Sequence, residues 1–150
     1  MIRYMPPPLI VVLLGAGMWL TDRAIVTARI ESAWRTPFAI ALAVVSLSVL
    51  IAAVAAFIVA RTSINPMRPA RASQLITSGV FKLTRNPIYV ADLLLLTAWA
   101  VWLGNICNLL FLFVFFTLIQ HVQMAAEERA LSQLFGERYR AYCSTVRRWL

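Results

Sequence analysis

The chain alternates between long apolar blocks and short polar ones. Tyr4–Thr21 carries no charge in 18 residues, and Thr36–Ala60 carries none in 25. Asn86–Ala126 contains a single charged residue, Asp92. A membrane-crossing helix needs about 20 predominantly apolar residues. The first two blocks therefore supply one helix each, and the third supplies two joined by a tight turn at Gly104-Asn105. The expected spans are about residues 8–21, 37–60, 87–103 and 107–126. The first is short, so it either extends past Thr21 or sits in a locally thinned bilayer.

The polar stretches between these blocks have patterns of their own. Asp22–Arg35 mixes charges with Ile25, Val26, Ile30, Ala33 and Trp34 at helical spacing, which predicts an amphipathic segment at the interface. The second span is rich in Ala, Val and Ser; Ser46 and Ser48 among the alanines permit close helix packing and need no catalytic role. After the fourth span the helix continues through Ala125–Phe135, and Gly136 fits a helix stop. Glu137–Leu150 reads as a short amphipathic helix with Tyr139, Tyr142, Val146 and Trp149 on one side. The fold class is all-α: an integral membrane bundle of about four transmembrane helices with a cytoplasmic C-terminal helical tail. Residues 1–150 form a single domain, because no apolar block folds alone in water.

Composition agrees with this pattern and charge orients it. Of 150 residues, 61% are hydrophobic and 13% charged, against about 25% charged in an ordinary soluble domain. The net charge of +8 invites a nucleic-acid reading, but its distribution does not support one. Arg3, five basic residues of the central loop (Arg61, Arg68, Arg71, Lys82, Arg85) and five of the tail (Arg129, Arg138, Arg140, Arg147, Arg148) fall on one side of a four-span topology. Only Arg23, Arg29 and Arg35 fall opposite. Positive charge concentrates on the cytoplasmic side of membrane proteins, so both termini and the central loop are expected there, in an inner or plasma membrane. The same basic face suits anionic headgroups. A cleaved signal peptide is disfavoured by Pro6-Pro7-Pro8 and by the lack of a small-x-small site after Leu20. Cys107 and Cys143 are single and far apart, with neither metal nor disulfide spacing, and read as plain thiols.

Two polar clusters carry the candidate chemistry. One is the central segment, residues 61–86, where Pro66 and Pro69 keep Asn65–Arg71 extended and Gly79 supplies a positive φ. Asn86-Pro87 then opens the third helix, whose free N–H groups and partial positive charge favour a carboxylate. The other is Glu127-Glu128-Arg129, just beyond the last apolar block. A carboxylate there suits hydroxyl or ammonium groups of a polar ligand, or else pairs with nearby arginines on a surface helix. Asp92 is the only acid within a span, and such residues are functional by default, although its place near a helix start lowers its cost. His121 reads as an interfacial polar residue rather than a base.

Leu75-Ile-Thr-Ser-Gly-Val-Phe81, Arg85-Asn-Pro-Ile-Tyr89, Glu127-Glu-Arg-Ala-Leu131 and Phe135-Gly-Glu-Arg-Tyr139 occur in order along roughly residues 66–150. Together they resemble the isoprenylcysteine carboxyl methyltransferase and phospholipid methyltransferase superfamily. Residues 1–60 resemble nothing beyond apolar helices. The resemblance implies a membrane methyltransferase that uses S-adenosylmethionine on a lipophilic or prenylated acceptor, most like isoprenylcysteine carboxyl O-methylation, with phospholipid, amine or thiol methylation as alternatives. It implies cofactor contacts at Leu75, Ile76, Phe81, Asn86, Pro87, Ile88, Tyr89 and Glu127, and an acceptor contact at Gln123; Asp92, by its place inside a span, is a substrate or cofactor candidate in its own right. Two positions depart from the family pattern. Phe81 replaces a common Tyr, and Gln123 stands where carboxyl-methylating members have an Arg that pairs with the acceptor carboxylate.

Other classes make different demands. A soluble-type nucleotide-binding methyltransferase is excluded by the lack of a Gly-x-Gly-x-x-Gly turn in a βαβ context. A membrane reductase of the steroid-reductase type needs a nicotinamide cofactor. A non-enzymatic scaffold predicts no cofactor binding and tolerance of Glu127→Gln.

Overall fold

A computed structural model describes residues 5–61 and 74–150. Six α-helices run in order: α1 Pro7–Ala24, α2 Arg35–Val59, α3 Pro87–Leu103, α4 Asn108–Leu118, α5 Ala125–Phe135 and α6 Glu137–Thr145. A π turn, Ile119–Met124, joins α4 to α5 without a break, so Asn108–Phe135 is one helix of 28 residues. No strand forms among the described residues.

α2 shows why this sequence packs as it does in a membrane. Its buried residues are Ala39, Ser46 and Ala53, a seven-residue repeat that falls on one helix face. These small side chains let α2 approach α3 closely, and Ser46 Oγ donates to the Ala91 carbonyl at 2.7 Å across the contact. Ser48 bonds back to Val44 O within its own helix. Most of the large residues of α2, among them Phe38, Ile40, Val44, Leu47, Ile51 and Ile58, are exposed. In water that surface would aggregate; against lipid tails it carries no penalty.

α3 is the central helix, packed on α2 on one side and on α1 and α4 on the other. The core there is built of large side chains: Leu96 of α3 with Met18 of α1, Phe115 of α4 and Ile119 of the π turn. Trp99 Nε1 donates to Gly15 O at 3.1 Å and ties α1 to α3. Two helices, α2 and Asn108–Phe135, are both long and apolar enough to cross a bilayer. α1 and α3, at 18 and 17 residues, are shorter.

The expected boundaries of α2 and α3 lie within two residues of those observed, and α1 takes the longer of the two forms anticipated for it; the fourth expected span starts one residue from α4 but ends eight residues beyond it, the π turn and the start of α5 completing its length. The expected amphipathic helix over Asp22–Arg35 does not form. α1 absorbs its first three residues, Val26–Ala28 make one 3-10 turn, and the chain then runs extended. Two contacts hold it out of a helix. Arg29 grips the Asp22 carboxylate through Nε at 2.7 Å and a terminal nitrogen at 2.5 Å. Its backbone also bridges to the α3–α4 turn, with Ile30 N to Gly104 O at 2.8 Å and Ile106 N to Ala28 O at 3.2 Å. The turn itself is as expected: Gly104 has φ 72° and caps α3.

The C-terminal tail differs too. α6 ends at Thr145, and Val146 turns to extended geometry (φ −124°, ψ 133°), so residues 146–150 form no helix. The predicted extended course of Asn65–Arg71 lies outside the described residues.

Candidate functional site

Three segments converge at one end of α3. Gly79, at φ 61°, opens a short 3-10 turn over Gly79–Lys82 that lays Phe81 against Phe57 of α2, with ring centroids 5.5 Å apart and edge-on. Pro87 then starts α3 without needing an N–H donor. The first glutamates of α5 arrive opposite, turned by the π turn that precedes them. Such turns change the facing of the residues that follow and are common at functional sites.

Glu127 and Glu128 point to different partners, as successive helical residues must. The Tyr89 hydroxyl donates to Glu127 Oε1 in a short hydrogen bond. Glu128 instead receives Arg148, through Nε at 2.9 Å and a terminal nitrogen at 2.6 Å, and it also pairs with Arg85 at 3.2 Å. Arg85 reaches Cys143 Sγ at 2.7 Å as well, so that cysteine is part of the arginine's surroundings. Arg85 Nε is buried and has no hydrogen-bond partner among the described residues.

The extended tail lies across this junction as a strap. Arg85 N donates to Arg147 O at 3.0 Å. Thr84 Oγ1 and Asn86 Nδ2 both donate to Arg148 O, at 3.2 and 2.9 Å. Trp149 anchors the far end by stacking on Phe116 at 4.9 Å and donating to Gln120 Oε1 at 3.0 Å. From α6, the Tyr142 hydroxyl donates to Phe81 O at 2.6 Å, and burial pushes that hydroxyl up to about 12. Burial raises Tyr139 as well, so both rings stay neutral.

Beside this junction is a cavity of about 470 Å³. Its polar wall consists of Arg85, Asn86, Tyr89, Asp92, Glu127 and Glu128, with Tyr139 and Tyr142 from α6. Leu75, Ile76, Phe81, Pro87 and Ile88 form an apolar wall at the same end. The cavity then continues between α1 and α2, along Pro7, Pro8, Val11 and Val12 on one side and Leu50 and Phe57 on the other.

All eight residues expected to hold a cofactor are thus brought together around one space, and Asp92 lines it too. Gln123 is not on this wall. It is buried in the bundle, where Nε2 donates to Met5 O at 2.8 Å. His121 is exposed on the π turn, away from the cavity. Sequence reasoning did not single out Arg148, Tyr139 or Tyr142 as part of this site. The signals were two: Tyr139 closes the last motif of the family resemblance, and the aromatic spacing of the tail helix marks a packed face but not what it packs on.

Residues 34–138 match the family model described as phospholipid methyltransferase. A stretch of 63 residues, 42% of the chain, is 44% identical to the whole of an uncharacterized protein from Haemophilus influenzae. No solved structure matches the chain.

Proposed function

Because the chain belongs to the phospholipid methyltransferase family, whose members are membrane methyltransferases, we propose that it transfers a methyl group from S-adenosylmethionine to a lipophilic acceptor within the cavity at the start of α3. The observation that carries this reading is the cavity's mixed lining, with hydrogen-bonding carboxylates and an arginine at the mouth and an apolar slot behind them.

The donor set suits the cofactor. Glu127 and Tyr89 offer a carboxylate and a phenol to its ammonium or ribose hydroxyls. Arg85, with its buried and unpartnered Nε, and Asn86 suit its carboxylate, near the N-terminal turn of α3. Leu75, Ile76 and Phe81 supply apolar surface for its base. When bound, the cofactor supplies a methyl group on cationic sulfur, open to in-line displacement by a nucleophilic atom.

The protein's own part is positioning and exclusion of water. Arg148 and Arg85 neutralise Glu128 and tie the tail to the start of α3 beside the cavity, where a firm wall helps to exclude water. Tyr89, held by Glu127, fixes the wall against which two reactants align. In the membrane arrangement that fits this reading, α1 and α3 cross beside the two longer helices, and both termini and the site lie on the cytoplasmic side. In support, Arg29 and Arg35, of the opposite side, are engaged in structural bonds to Asp22, Ile30 O and Trp102 O. The acceptor enters from the bilayer. A prenylcysteine-type carboxylate and a lipid amine both suit the apolar slot, and the choice between them turns on the charge of its wall.

Cofactor binding tests the reading. Titration of S-adenosylmethionine into detergent-purified protein is expected to show binding that Glu127→Gln weakens by roughly tenfold or more, the scale of one charge-assisted hydrogen bond. No binding to the unaltered protein would refute it.

A further inference from the structure

The strap has an outer side that the cavity does not use. Two of the arginines at this end of the bundle are already held, because Glu128 takes both Arg85 and Arg148. Lys82 and Arg147, by contrast, are exposed and pair with no described residue. The bonds from Arg85 N to Arg147 O and from Thr84 Oγ1 to Arg148 O lay their two segments side by side. Lys82 and Arg147 therefore belong to one surface. Leu83 and Leu150, 68% and 72% exposed, flank them in the same two segments.

A lone exposed leucine means little on a protein surface. Two of them beside two unpaired cations have the make-up of an interfacial anchor, in which apolar side chains sink below the headgroups and cations meet phosphates. The level of the strap fits such contact. Trp149 stacks on Phe116 of α4 and donates to Gln120, where the apolar run of that long helix gives way to polar residues. Tryptophan favours this boundary between lipid and water, and Leu150 is the next residue along.

We propose that Lys82, Leu83, Arg147 and Leu150 form a docking surface for the anionic headgroups of the bilayer beside the candidate site. The strap is then held from both sides, its backbone carbonyls by Thr84, Arg85 and Asn86 and its outer side chains by lipid. A soluble polyanion would satisfy the cations but leave both leucines in water, so charge and apolar contact together favour lipid. Each basic residue near an anionic lipid surface adds about fivefold in affinity, and two add roughly twentyfold.

Native mass spectrometry of detergent-purified full-length protein counts the molecules bound. The probes are short-chain phosphatidylglycerol, the matching phosphatidylcholine, glycerol 3-phosphate and a short oligothymidylate. Phosphatidylglycerol is expected to bind roughly tenfold or more tighter than phosphatidylcholine. The double variant Lys82→Gln/Arg147→Gln is expected to abolish that preference. Arg23→Gln, which removes a cation stacked on Trp19 at the other end of the bundle, is expected to keep it. Leu83→Ser/Leu150→Ser is expected to weaken both lipids by roughly fivefold or more. The comparison of lipids on the unaltered protein stands even if a variant fails to fold. Equal binding of the two lipids overturns the proposal, as does a preference that survives Lys82→Gln/Arg147→Gln or falls equally in Arg23→Gln. Glycerol 3-phosphate or the oligonucleotide binding as tightly as phosphatidylglycerol overturns it in favour of a free anion or a nucleic acid. The surface owes nothing to methyl transfer, so these titrations are read without S-adenosylmethionine.

Discussion

Glu127 and Glu128 are adjacent and chemically identical, and the fold gives them different work. A helix turns about 100° per residue, so Glu127 meets Tyr89 of α3 while Glu128 meets Arg148 of the tail. Replacing Glu127 by Gln is expected to weaken cofactor binding with helix content unchanged. Glu128→Gln leaves Arg85 and Arg148 without their carboxylate and is expected to lower thermal stability in detergent as well, by about 1–3 kcal/mol. Measuring both properties on both variants checks the division. Gly104 is a second decisive residue. Its φ of 72° strains any side chain, and a Cβ there would also collide with the Arg35 guanidinium. Gly104→Ala is therefore expected to cost about 1–2 kcal/mol from the backbone alone, seen as a lowered unfolding temperature. At this scale the sequence was informative where a residue's type limits its use. Gly79 and Gly104 had to be turns, and Pro87 a helix start. It was uninformative where several residues are equivalent in sequence, and nothing distinguishes Arg148 from the other arginines of the tail until the strap is seen.

Element boundaries were legible because the apolar blocks end abruptly at Gly, Pro and charged residues. α3 begins at Pro87 and ends at Gly104, as the punctuation implies. The Asp22–Arg35 stretch was misread because helical spacing competes there with a specific ion pair and a two-bond bridge to a turn about 75 residues away. Non-local contacts of that kind leave no periodicity. The π turn at Ile119–Met124 was equally invisible, although it directs Glu127 and Glu128. Two predictions belong to elements. Ala53, fully buried against α3, has no room for a larger side chain, so Ala53→Leu is expected to destabilise the bundle by about 1–3 kcal/mol in a detergent melt. Removing residues 146–150 takes away the strap's four hydrogen bonds and the Arg148–Glu128 ion pair and is expected to weaken cofactor binding while α-helical circular dichroism is retained. A truncated protein that binds the cofactor as well as the full chain would contradict the role given to the strap.

At the scale of the molecule, exposed apolar surface on α1, α2 and α4 and the family match place the chain in a membrane. The four-span arrangement makes a prediction from the protein's own cysteines. Cys107, beside the Gly104 turn, and Cys143, in α6, are free thiols at opposite ends of the bundle. In single-cysteine forms, a membrane-impermeant maleimide is expected to label Cys143 only from the cytoplasmic face and Cys107 only from the other. Labelling of both from one face would contradict the arrangement.

The most direct measurement of the central claim is methyl transfer itself. Purified protein is incubated with methyl-labelled S-adenosylmethionine, membrane lipid extract and a prenylcysteine analogue, with Glu127→Gln in parallel. The account predicts label in the lipophilic fraction, strongly reduced in the variant. Label released by base as methanol would identify a carboxyl ester, and base-stable label a methylated amine. No transfer above the Glu127→Gln level with any acceptor would contradict the methyltransferase itself.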